Sequence, residues 1–200
     1  MKKVSFLLLV LIFATSLLNA QRFKGGVIGG INASQIDGDT WAGYHKIGLV
    51  AGAYVKTDFV DKWGGQLEIK YSSKGSANAF STAMPLLIQL RYIDLPILAT
   101  YEAIDNLKVE GGISINYLFN AQHYDGVWSD EWDIEPSPLE AAITFGINYR
   151  FFQSFDMNLR YSYSLLPVRS KTSTDSFGRG AWFNNVFTFA LYFEIGNRKL

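Results

Sequence analysis

The sequence predicts an all-β chain, an eight-stranded antiparallel up-and-down transmembrane β-barrel after a cleaved signal peptide. Three observations predict it. Apolar and polar residues alternate with period two in eight separate runs, the mark of strands with two unlike faces. The connections between those runs alternate strictly between long polar segments and short ones. The strongly apolar stretch lies at the extreme N-terminus, and no stretch after residue 20 is long and apolar enough for a transmembrane helix.

Lys2 and Lys3 form a positive start, Ser5 to Leu18 an apolar stretch, and Leu18-Asn19-Ala20 a cleavage site ending on a small residue. The stretch is shorter than the roughly 20 residues of a spanning helix, so an exported chain starting at Gln21 is expected. The division is then 1–20 signal peptide and 21–200 barrel.

The strands follow in order. Phe23 to Ser34 is Gly-rich, and His45 to Lys56 alternates Ile47, Leu49, Ala51, Ala53 and Val55 with Lys46, Gly48, Val50, Gly52 and Tyr54. Trp63 to Ser73 sets Leu67, Ile69 and Tyr71 against Gln66, Glu68, Lys70 and Ser72. Leu87 to Tyr101 changes parity, since Ile88, Leu90 and Tyr92 share a face with Asp94; a bulge near Tyr92, or a strand starting there, would reconcile it. Pro96 has no N–H to give a ladder and is expected at an irregularity or a missing bond.

Leu107 to Asn120 alternates Val109, Ile113, Ile115, Tyr117 and Phe119 with Lys108, Glu110, Ser114 and Asn116. Leu139 to Phe151 opposes Ile143, Phe145, Ile147 and Tyr149 to Glu140, Thr144, Asn148 and Arg150. Phe155 to Leu165 and Val186 to Ile195 close the set, with Asp156, Arg160 and Glu194 on their polar faces. Segments 35–44, 74–86, 121–138 and 166–184 are long, whereas 57–62, 102–106 and 152–154 are short. Outer-membrane barrels behave this way, with short periplasmic turns and longer external loops.

Alternation alone does not say which face points inward. Eight strands leave a lumen just wide enough to be filled by side chains, and the apolar faces are too rich in aromatics to share it. Tyr71, Tyr117, Phe119, Tyr161 and Tyr163 fall near loop ends, while Trp63, Tyr101, Tyr149, Phe151 and Phe155 fall near turn ends, as interfacial girdles would. The polar face is therefore assigned to the inside, in the outer membrane of a Gram-negative cell. A secreted, lipocalin-like soluble barrel is the rival arrangement.

The segment Gly30 to Val55, GINASQIDGDTWAGYHKIGLVAGAYV, resembles the opening of the PorT-like, porin-like outer-membrane β-barrel family of Bacteroidota. YIDLPILATYE, Tyr92 to Glu102, looks like that family's fourth-strand motif. The resemblance implies an eight-stranded outer-membrane barrel and brings no catalytic residues with it.

Composition narrows function. Removing residues 1–20 takes two of the eighteen basic residues and none of the eighteen acidic ones, leaving a net −2 and no basic cluster for nucleic acid. Cysteine is absent, so neither disulfides nor a thiolate metal site can form, and no cofactor or metal is implied. A polar cluster inside the barrel is expected from Glu68, Lys70, Asp94, Lys108, Glu110, Glu140, Arg150, Asp156, Arg160 and Glu194. Buried charge is costly unless paired, so a salt-bridged plug is the expected form, with a narrow ion path as the alternative.

Both histidines, His45 and His123, fall on expected loops, and no motif links them to a nucleophile. The acidic third loop, with Asp125, Asp130, Glu131, Asp133 and Glu135, matches no calcium loop, though carboxylates there could meet divalent cations bridging lipopolysaccharide. Trp41, Trp128, Trp132 and Trp182 are expected as exposed loop aromatics for contact with a partner. The expected role is structural or loop-mediated, without catalysis; a narrow porin-like pore is the second reading and a lipid-modifying enzyme the third. Expected partners are outer-membrane lipid and lipopolysaccharide, with other envelope proteins reached through the external loops.

Overall fold

The computed structural model describes residues 23–78, 86–132, 135–170 and 178–195, so the predicted signal peptide lies outside the described residues. The strands are β1 (Lys24–Asp39), β2 (Lys46–Val60), β3 (Trp63–Ala77), β4 (Leu87–Ile104), β5 (Leu107–Tyr124), β6 (Trp128–Ser129), β7 (Leu139–Phe152), β8 (Phe155–Ser164) and β9 (Gly178–Ile195). All except the two-residue β6 belong to the wall. Every pairing is antiparallel, and β1 with β9 closes the sheet into a barrel of eight long strands.

All eight expected strands are present, and most run further than alternation alone had placed them. β1 continues to Asp39, β3 to Ala77 and β5 to Tyr124, while β9 begins at Gly178 and not at Val186. The extra length lies at the loop end, where inward residues become apolar and the two-faced pattern fades.

The three short connections are two-residue turns closed by the pairs Val60↔Trp63, Ile104↔Leu107 and Phe152↔Phe155. Each ladder shifts register just before its turn, leaving Phe59, Ala103 and Phe151 unmatched. Such bulges increase local twist, which a small barrel needs to close. Asp61 (φ 44°) and Asn106 (φ 66°) adopt the left-handed conformation within two of the turns. Asn and Asp tolerate that region better than other residues with a Cβ.

A register shift does fall at Tyr92, as expected for a bulge there, but it is not what reconciles the parity of the fourth strand. β4 does not switch faces: Ile88, Leu90, Tyr92, Asp94, Leu98 and Thr100 are all buried inside. The bulge lies across the ladder, where Arg91 pairs with Asn120 but Tyr92 with Leu118, so Phe119 of β5 is the extra residue. Beyond it β5 changes parity and turns His123 inward. Pro96 does interrupt pairing: the β3–β4 ladder passes from Leu67↔Ile97 to Lys70↔Asp94 with nothing recorded between.

The barrel is inverted relative to a soluble one. Leu49 is 67% exposed and Ile69 56%, along with Ile113, Ile115, Phe145, Leu159 and Phe189, whereas Glu68 is 2% and Arg160 2% exposed. Exposing that much contiguous apolar area to water would be strongly unfavourable, so this surface requires hydrocarbon. Aromatic pairs rim the band, with Trp63 and Tyr101 centroids 4.8 Å apart toward the turns and Tyr161 and Phe187 5.0 Å apart toward the loops.

Candidate functional site: a filled lumen under aromatic loops

Even-numbered residues of β3, β4, β8 and β9 point inward, and small residues among them make room for the large ones. At Gly52 a Cβ would lie 2.5 Å from the Lys70 Cβ and 2.3 Å from the Ile69 carbonyl oxygen, so only glycine leaves space for the lysine. The inward side chains then sort into three levels.

At mid-height Arg160 holds two carboxylates. Its guanidinium donates to Glu68 from Nη1 at 2.7 Å and Nη2 at 2.9 Å, and from Nε to Glu110 at 2.7 Å. Tyr192 Oη (2.9 Å) and Gln66 Nε2 (2.7 Å) also donate to Glu68, and Asn158 Nδ2 donates to Glu110 at 2.8 Å. Lys70 lies 3.4 Å from Glu68. The fork geometry of arginine suits this bridging, which joins β3, β5 and β8 across the lumen.

Toward the loops, Lys74 lies 3.0 Å from both Asp94 and Glu140 and 4.4 Å from the centre of the Tyr92 ring. Glu140 also accepts from Asn116, Ser164 and Asn184. Toward the turns, Lys56 reaches Asp156 (3.1 Å) and Glu194 (2.9 Å), and Arg150 grips the same two carboxylates. Asp58 sits between Lys108 (2.9 Å) and Lys24 (3.4 Å) at the mouth. A polar vestibule of about 160 Å³ opens there and ends near Glu110.

Above the ionic levels an apolar cluster fills the loop end. Ile36, Ile88, Leu90, Tyr92, Leu118, Val168 and Trp182 are buried together, with Trp41, Ala121 and Trp132 packed against them. The Arg169 guanidinium lies 4.6 Å from the Trp182 ring centre and 6.0 Å from that of Trp132. Loop backbone ties this cap down: Ser137 N donates to the Val168 carbonyl and Leu118 N to that of Pro138.

The ten residues expected inside therefore do not form one cluster. Glu68, Lys70, Glu110 and Arg160 meet at mid-height, Asp94 and Glu140 above, and Asp156, Arg150 and Glu194 below. Lys108 joins Asp58 at the mouth. Two cations that complete the lattice, Lys74 and Lys56, were missed. Lys74 continues the even parity of Glu68, Lys70 and Ser72 beyond the point where β3 was expected to end.

The four tryptophans also separate. Trp182 is wholly buried on β9 and is no loop residue, because alternation along that strand carries it inside. Trp41 and Trp132 are half-buried against the cap, and Trp128 alone of the four is exposed, beside Tyr124 at 5.3 Å. His123 likewise leaves its expected loop: it is buried on β5, 4.9 Å from the Trp132 ring, while His45 is an exposed loop residue. Among the described residues no three His, Asp or Glu side chains gather in a metal-binding arrangement.

Comparison with solved structures places the same architecture elsewhere. Ail, the attachment invasion locus protein of Yersinia pestis, solved with the heparin analogue sucrose octasulfate, superposes with a TM-score of 0.53 at 10% identity, over 87% of this chain and 99% of that one. Neisserial surface protein A gives 0.52 at 11% identity, over 87% and 98%. At these identities the likeness is one of fold. No curated protein matches the sequence. The profile of the outer membrane protein beta-barrel domain matches residues 19–169, three quarters of the length. With a closed, inverted barrel behind that match, the chain belongs to the outer membrane protein beta-barrel domain family and is an outer-membrane protein.

Proposed function

We propose that this barrel acts structurally and through its external loops, without catalysis and without steady conduction. One observation carries the reading: the lumen is closed twice in series, by the carboxylates bridged on Arg160 and by the apolar cap around Trp182. Water and ions crossing it would have to break buried ion pairs and then wet an apolar constriction. Planar-bilayer recordings of the purified protein are expected to show no discrete conductance steps. Cross-linking from Trp128 in intact cells is expected to recover a specific protein or glycan neighbour; recovery of lipid alone would count against loop-mediated contact.

Loop charge bears on the partner. Asp125, Asp130, Glu131 and Glu135 are exposed in the same stretch of chain as Trp128, a charge suited to a basic protein face or to divalent cations bridging lipopolysaccharide. It suits a sulfated polyanion such as the analogue held by Ail poorly. Within the family, the Gly30 to Val55 and Tyr92 to Glu102 segments favour the PorT-like branch. Export by removal of residues 1–20 belongs to the same reading. A narrow porin-like pore is the second reading, favoured by the charged vestibule on the turn side; discrete steps in the same recordings would establish it.

A further inference from the structure

A broad depression lies on the outer wall, not in the lumen. It is a groove of about 720 Å³ across β2 to β5 near the turns, walled by Val55, Phe59, Leu67, Ile97 and Ile113. Its floor is a row in register: Thr57 pairs with Gly65, Gly65 with Ala99, and Ala99 with Gly111. Three successive outward positions thus carry no side chain beyond Cβ. Phe59, the unmatched bulge residue, leans over the row so closely that a Cβ on Gly65 would meet its ring at 2.6 Å.

A second observation is independent of this shape. Thr57, also lining the groove, is only 7% exposed, and its hydroxyl is buried with no hydrogen-bond partner. An orphan hydroxyl in apolar surroundings costs free energy that a ligand acceptor would recover. The groove is continuous with the hydrocarbon-facing band, and its floor lies one outward row from the Trp63–Tyr101 pair that marks the interface. Two residues of strand cover roughly 7 Å, which puts Thr57 near the depth where lipid chains join their headgroups.

We propose that the groove holds one acyl chain of a turn-side-leaflet phospholipid, whose ester carbonyl accepts a hydrogen bond from Thr57. The chain runs over Ala99 and Gly111 and packs against the edge of the Phe59 ring, 54% exposed, which covers Gly65. The site distinguishes lipids by the carbonyl and not by headgroup charge.

The test uses the full mature protein in vesicles of equimolar diester and diether phosphatidylethanolamine, extracted into mild detergent and weighed by native mass spectrometry. One retained lipid per barrel is expected, with the diester enriched roughly fivefold, the worth of one neutral hydrogen bond. Thr57→Val should keep the lipid and lose the preference. Ala99→Phe should lose the lipid, whereas Gly29→Phe, at an outward position with open space on β1, should retain it. Heat-modifiability gels verify folding of each variant, and Thr57→Val decides the matter if Ala99→Phe does not fold. Lipid-free barrels, equal retention of both lipids by the unaltered protein, or dimers that Ala99→Phe separates would each overturn the proposal, the last by assigning the groove to a second copy.

Discussion

Arg160 shows how a single residue organises a lumen. Fully buried, it is bridged to Glu68 on β3, directly across the barrel, and to Glu110 on β5, two strands away along the wall. Replacing one member of a buried ionic group leaves the others uncompensated, and the loss is on the order of 3–5 kcal/mol. Arg160→Met is therefore expected to lower stability by about that amount in urea unfolding from lipid vesicles. Adding Glu110→Gln should restore much of it, because Lys70 still balances Glu68 and no charge is then stranded. A loss unchanged in the double variant would show that packing, and not charge, sets the effect. That Arg160, Glu68 and Glu110 lie inside was legible from period-two parity together with the bulk of the opposite, aromatic-rich face. Which of them touch was not, since they are separated by 50 and 92 residues in sequence.

At the scale of elements, hairpins and bulges set the register that brings those residues level. Each turn combines two residues with one unmatched neighbour, and Asn106 takes the left-handed conformation at φ 66°. A β-branched residue there is strained by about 1–2 kcal/mol, whereas glycine is not. Asn106→Val should lower the unfolding midpoint and slow folding into vesicles, and Asn106→Gly should leave both nearly unchanged. The apolar loop end of β4 explains a misread strand. Ile88, Leu90 and Tyr92 share parity with Asp94 because all four point inward, and an apolar inner face at the loop end imitates a switch of sides. Local alternation reports which face a residue occupies, but gives no warning that the chemistry of one face changes with height.

The whole molecule is a cylinder sealed at two heights and embedded by its outside. Two seals in series make a definite expectation: removing the apolar one alone should not open the barrel. Leu90→Ala with Trp182→Ala is expected to cost several kcal/mol of stability through lost burial, yet planar-bilayer recordings should stay silent while the Arg160 bridges hold. Discrete steps in that variant would mean that the cap is the only barrier. Processing belongs to this scale too. N-terminal sequencing of protein recovered from outer membranes should begin at Gln21, and a start at Met1 would refute removal of the leader.

The sequence by itself determined the strand count, the alternation of turns and loops, and the inside-out polarity. Those follow from period two, connection length and the bulk of aromatic side chains in a narrow lumen. Tertiary structure alone decided that Lys74 answers Glu140, that Trp182 and His123 are buried and not displayed, and that Thr57 faces the groove without a partner. The physical reason is that parity fixes only the direction of a side chain. Its neighbours across the lumen depend on the stagger of all eight strands, which closure and the bulges set together.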